Sequence, residues 1–169
     1  SEDITIASLN NYFKVEKGDM IATIKIISFS ITSSNLKRIS NLNLKNALKI
    51  LPFNKNRCGL ILTQGSKENK KLNDISESRI RDRLEKINHE LYTTLKCKHN
   101  AVEISKKIKL FKKNKIDLIL ILGSSAIVDI KDEIPSAIKQ SGGKIIRFGM
   151  PVDPGNLLLI GKNKNTPII

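Results

Sequence analysis

The apolar positions along the chain follow two periods, and the change from one to the other predicts where strands give way to helices. In the first thirty residues the pattern is β-like. Ile4-Thr5-Ile6-Ala7 reads as a short strand and Tyr12 to Val15 as a second, followed by a turn at Glu16-Lys17-Gly18-Asp19. Met20 to Ile31 is a long β-branched run in which Lys25 is the only charge. From about Ser34 the spacing becomes three and four. Leu36, Ile39, Leu42 or Leu44, and Leu48 suit an amphipathic helix, with Ser33-Ser34-Asn35 as its cap.

Beyond residue 57 the two periods alternate. Cys58 to Thr63 is an apolar strand, followed by the polar loop Gln64-Gly65-Ser66. Leu72, Ile75, Ile80, Leu84, Ile87 and Leu91 keep helical spacing, and Leu91 to Lys98 reads as strand. Asn100 with Glu103 predicts a capping box, opening a helix through Val102, Ile104, Ile108 and Phe111. Leu118 to Leu122 reads as a strand buried on both faces. A loop at Gly123 to Ala126, a short helix from Glu133 to Gln140, a stop at Gly142-Gly143 and a strand from Lys144 to Phe148 complete the series. Leu157 to Ile160, a turn at Lys162 to Asn165, and Pro167 to Ile169 predict a hairpin at the edge of the sheet. The fold class expected is α/β, a three-layer α/β/α Rossmann-like sheet, mostly parallel, with a small β-rich N-terminal segment. Residues 1–169 read as a single domain, with 1–32 the β-rich segment and 33–169 the α/β core.

Composition narrows the partners. The 169 residues carry 30 Lys+Arg against 16 Asp+Glu, a net charge of +14, but 24 of the 30 are lysine and aromatics are only 4%. Nucleic-acid sites lean on arginine forks and stacked aromatics, so a solvated lysine surface is the expectation. Six lysines, Lys106, Lys107, Lys109, Lys112, Lys113 and Lys115, are assigned to the outer face of one helix. No apolar run approaches the ~20 residues of a membrane span, and Ser1-Glu2-Asp3 does not open a signal peptide, so a cytoplasmic protein is expected. Cys58 and Cys97 read as buried thiols rather than a disulfide, and with only His89 and His99 beside them zinc is not expected.

Ligands of open α/β sheets bind beyond the carboxyl ends of strands. The first candidate is therefore the loop after the strand at 118–122. Gly123 permits close backbone approach, Ser124 and Ser125 add hydroxyls, and the following helix N-terminus favours an anion. Asp129 and Asp132, three apart, offer carboxylates for Mg²⁺ or for a ligand's N–H groups, although Asp132 equally suits a helix N-cap. The second candidate is Gly149-Met150-Pro151-Val152-Asp153-Pro154-Gly155-Asn156, a rigid loop that otherwise serves as a hairpin connector. Because both follow consecutive strands of one sheet, they are expected to face one pocket. Neither a Walker loop nor a GxGxxG fingerprint occurs.

The order Asp117 to Ser125, Asp129, Asp132-Glu133-Ile134-Pro135, Gly149 to Asn156 and Thr166-Pro167-Ile168 resembles the molybdopterin-binding domain of molybdenum cofactor biosynthesis. The likeness is to the variety often joined to a nucleotidyltransferase domain of the molybdenum cofactor cytidylyltransferase type. Gly18-Asp19-Met20-Ile21-Ala22-Thr23-Ile24-Lys25-Ile26-Ile27 matches that variety as well. The resemblance implies that Gly123, Ser124, Ser125 and Ala126 line a phosphate or pterin pocket and that Pro154, Gly155 and Asn156 form its second wall. It places Asp129 and Asp132 where related transferases put acidic residues. Relatives carry Gly-Gly-Thr/Ser-Gly where this chain has Gly-Ser-Ser-Ala, a Pro-Asp pair where it has Cys97-Lys98-His99-Asn100, and lysine where it has Asn156. The departures bear on catalysis more than on binding.

The leading expectation is a domain that binds molybdopterin, or its nucleotide or molybdenum form, during cofactor biosynthesis, with Mg²⁺ left open. A nucleotidyl- or molybdenum-transferase acting on molybdopterin, with Asp129 and Asp132 as its catalytic residues, is the alternative. A basic nucleic-acid-binding module is the alternative of another class. The chain is expected to be a piece of a longer protein, with a nucleotidyltransferase domain as a partner in that chain and homo-oligomerisation open.

Overall fold

The computed structural model describes residues 4–42, 47–65 and 70–169. Leu44 and Ser66, assigned above to a helix and a loop, lie outside them. The chain divides into two compact units, Ser1–Leu51 and Pro52–Ile169. The change of period near residue 33 does not mark this division, because the first helix belongs to the first unit.

In the first unit β1 (Ile4–Ser8) and β2 (Ala22–Ile26) pair antiparallel, with Ile4 opposite Ile26 and Ser8 opposite Ala22. Leu9 N–H extends the pairing to Ile21 O at 3.0 Å. The strand expected over Tyr12–Val15 does not form. Those residues belong to the connection between β1 and β2, where Phe13 N–H closes a turn on Asn10 O and Tyr12 sits at φ 64. A β-like run without a partner strand has nowhere to place its backbone hydrogen bonds. For the same reason the twelve-residue run from Met20 shortens to five residues, the length of β1. The expected turn forms, with Glu16 N–H donating to Asp19 Oδ2 and Gly18 at φ 103. Helix α1 (Ser33–Ser40) is capped one residue earlier than expected: Thr32 Oγ1 accepts Asn35 N–H.

The second unit holds a six-stranded sheet of order β4-β3-β5-β8-β7-β6, flanked by helices. Its elements are β3 (Arg57–Gln64), α2 (Lys70–Glu85), β4 (Glu90–Lys98), α3 (Ala101–Lys113), β5 (Leu118–Leu122), α4 (Glu133–Gln140), β6 (Lys144–Phe148), β7 (Leu159–Asn163) and β8 (Thr166–Ile168). β3 pairs parallel with β4 and β5, and β5 with β8; only β7 runs against its neighbours. The alternation along β3 sorts the core into two layers. Cys58, Leu60 and Leu62 pack with Leu84 of α2 and Leu91. Ile61 packs on the other face with Ile104, Ile108 and Phe111 of α3 and Ala137 and Ile138 of α4. Gly59 belongs to this second face, where a Cβ would stand 2.6 Å from the Phe111 ring. Both cysteines are free and buried; burial, with Asp117 nearby, raises the Cys58 thiol to about 11.

Three expectations change here. The terminal hairpin is not at the edge: β8 lies against β5 and β7 against β6, which leaves β6 outermost. Its apolar residues explain the position, since Ile168 and Leu159 are buried and need sheet on both sides. The strand β5 is not buried on both faces. Ile119 is fully buried, but Leu122 is 41% exposed, because α2 packs against β4, two strands away. The lysine face of α3 is also interrupted: Lys112 Nζ turns to donate to buried Asn163 Oδ1 at 2.7 Å, while Lys106 pairs with Glu103.

The helix α4 ends as its sequence predicts. Gly142, at φ 84, and Gly143 donate to Lys139 O and Ile138 O, which is the Schellman arrangement. The capping box of α3 forms only by half. Asn100 Oδ1 accepts Glu103 N–H at 2.9 Å, but the Glu103 carboxylate turns outward to Lys106. Among the described residues no helix is long and apolar enough to cross a membrane.

Candidate functional site

Parallel pairing brings the carboxyl ends of β3, β4 and β5 to one edge of the sheet. The residues that arrive there are Thr63, His99 just past β4, and Gly123 to Ser125 just past β5. Thr63 joins all three. Its hydroxyl donates to Leu122 O at 3.3 Å and accepts Ser124 N–H at 2.8 Å. Its third partner is His99 Nδ1, at 2.7 Å.

A hydroxyl has one proton and two acceptor lone pairs. Leu122 O can only accept and Ser124 N–H can only donate, so the tautomer of His99 decides where the hydroxyl proton goes. In the Nδ1–H tautomer the proton goes to Leu122 O, and the bare Nε2 of His99 faces the Ser125 hydroxyl at 3.1 Å. The gradient of burial follows the chain of contacts: Thr63 is buried, His99 half-buried and Ser125 exposed.

Gly123 is required by close approach. A Cβ there would stand 2.7 Å from Ser125 O and 2.9 Å from Ile134 Cδ1. The loop that follows is organised by its two carboxylates. Asp132 Oδ2 accepts Val128 N–H at 2.8 Å and Asp129 N–H at 3.0 Å, and Asp129 Oδ1 accepts Lys131 N–H at 2.7 Å. These backbone bonds hold the Asp132 carboxyl below its ordinary range, with a smaller contribution from His99. Asp132 occupies the N-cap position of α4 without bonding its side chain to the helix. The next residue, Glu133, instead reaches across to accept the N–H of Ala101, the first residue of α3. One carboxylate thus ties the loop together, and the other ties two helix N-termini to each other.

Between these groups lies a cleft of about 450 Å³, lined by His99, Ser125, Ala126, Lys131, Asp132 and Glu133 and by the apolar side chains of Ile127, Val128 and Ile134. Of the residues singled out from the sequence, Ser125, Ala126 and Asp132 line it. Gly123 and Ser124 do not line it, and Asp129 acts through the loop backbone. Pro154, Gly155 and Asn156 do not line it. Their loop closes on itself between β6 and β7, with Gly149 N–H to Leu158 O and Met150 N–H to Asn156 O, both 3.0 Å. The expectation of one shared pocket fails on strand order. β8 and β7 stand between β5 and β6, so the two loops start three strand spacings apart, about 14 Å.

The Asp129 and Asp132 carboxylates are engaged by backbone N–H groups, and among the described residues no group of three or more His, Cys, Asp or Glu could hold a metal ion. Two residues of the site, Thr63 and His99, carry no motif in the sequence. The available signal was position, since each stands at the carboxyl end of a parallel strand. Compared with models of protein families, with curated proteins and with solved structures, the chain matches none.

Proposed function

We propose that the second unit is a Rossmann-like ligand-binding domain whose cleft beside Ser125 takes molybdopterin or its nucleotide or molybdenum form, as a step of cofactor biosynthesis. The observation that carries this reading is the loop from Gly123 to Asp132. It leaves β5 at the carboxyl edge of the sheet, passes Ser125 and Lys131 into the cleft and ends at the first turn of α4, which no side chain caps. A helix start with free N–H groups, a hydroxyl and a lysine suit the phosphate of a pterin. Ile127, Val128 and Ile134 supply apolar surface for a ring system. The order of motifs around Gly123 and Gly149 supports the choice of pterin over other phosphorylated ligands.

In this reading Ser125, Ala126 and Lys131 hold the ligand, while Asp129 and Asp132 shape the loop. Calorimetric titration of the protein with molybdopterin tests it. Saturable binding that weakens at least tenfold in Gly123→Ala is the expected result. Absence of binding heat, or equal binding by that variant, would overturn it.

A further inference from the structure

We propose that Ser125 is a nucleophile activated by His99, and that the cleft accepts the acyl group of a carboxylic ester. The proposal uses the same cleft and the same Ser125 as the pterin reading, but its argument does not rest on that reading. Nucleophilic serine chemistry needs a base within hydrogen-bond reach of the hydroxyl, the base in the tautomer that presents a lone pair, and a third group that fixes that tautomer. All three are met by the Nδ1–H tautomer of His99. Ser125 Oγ lies 3.1 Å from His99 Nε2, and His99 Nδ1 lies 2.7 Å from Thr63 Oγ1. With the Thr63 proton on Leu122 O and Ser124 N–H on one lone pair, the remaining lone pair accepts His99 Nδ1–H, which is the tautomer this proposal requires.

Position agrees with role. The nucleophile is exposed on the cleft wall, the base is half-buried, and the positioning residue Thr63 is buried at the strand end. Asp132 lines the same cleft as His99 and Ser125. The side chains of Ile127, Val128 and Ile134 give an apolar seat for a short acyl chain.

The step balances without any added reactant except water. Ser125 Oγ bonds to the ester carbonyl carbon as its proton passes to His99 Nε2. The carbon–alkoxide bond then breaks and the alkoxide leaves with that proton, giving the acyl-serine and an alcohol. Water attacks the acyl-serine, its proton passing through His99, and the acid is released with Ser125 restored.

A fluorophosphonate reagent and p-nitrophenyl acetate, applied to the full chain, test the proposal. Ser125 Oγ displaces fluoride from phosphorus, leaving a stable adduct that peptide mass spectrometry locates. The expected result is labelling at Ser125, absent in Ser125→Ala and slowed at least a hundredfold in His99→Ala. Thr63→Ser should retain labelling within about tenfold, since it keeps the hydroxyl that fixes the tautomer. p-Nitrophenol release from the acetate should follow the same order among the variants. Adduct at another residue, no adduct, or a rate indifferent to His99→Ala in a variant whose circular dichroism matches the parent would overturn the assignment. Calorimetric titration of the unmodified protein with molybdopterin is a separate readout, so failure of either reading is distinguished from failure of the other.

Discussion

The two glycine-containing loops at the carboxyl edge of the sheet resemble each other in sequence character and differ in what holds them. The loop after β5 is tied to its neighbours: Thr63 of β3 accepts Ser124 N–H, His99 beyond β4 meets Ser125, and Glu133 reaches the start of α3. The loop after β6 bonds chiefly to itself, Gly149 to Leu158 and Met150 to Asn156. A loop held by contacts with neighbouring elements can keep a constellation of groups in fixed geometry. A loop that closes on its own backbone connects two antiparallel strands and needs nothing from the rest of the sheet. The prolines Pro151 and Pro154 belong to the β6 loop alone; what makes the β5 loop a candidate site is the origin of its hydrogen bonds.

The contrast can be tested by substitution. Thr63→Val keeps the shape of the side chain but leaves Ser124 N–H and His99 Nδ1–H without their acceptor. With about 1–3 kcal/mol for each unsatisfied buried group, a loss of about 3 kcal/mol in urea unfolding is expected. A loss below about 1 kcal/mol would mean that the β5 loop does not depend on β3. Asp132→Asn is expected to have a smaller effect, with a distinctive pH signature. The folded Asp132 carboxyl sits below its ordinary value of 3.8, so its ionised form stabilises the fold above that value. That stabilisation is lost as pH falls through the folded value. The difference in Tm between the protein and Asp132→Asn should therefore narrow from pH 5 toward pH 3, and a constant difference would refute the loop-organising role. Asn156→Ala should be the mildest, within about 0.5 kcal/mol, with cleft binding unchanged within twofold. A tenfold loss of binding there would join the two loops after all.

Much of the fold was legible in the sequence because local chemistry decides it. The ends of α4 follow from Glu133 at its start and Gly142-Gly143 after its last turn, and the cap of α3 follows from Asn100. The β5 loop was legible as a candidate site from Gly123-Ser124-Ser125 alone. The role of Asp132 was not. Its spacing fits an N-cap, and only the loop conformation turns the carboxylate back to Val128 and Asp129. His99 was passed over because a lone histidine before a helix has no signature until strand pairing sets it beside Thr63, 36 positions earlier.

The periods, the caps and the turn glycines were set by the sequence alone, and with them the eight strands and four helices of the described chain in outline. These features depend on residues within a few positions of one another. Tertiary structure decided the order of strands, which moved the terminal hairpin inward and parted the two loops. It also decided the Thr63–His99–Ser125 chain. Hydrogen bonds between strand ends depend on which strands are neighbours and in what register, and neither is fixed by any short stretch of sequence.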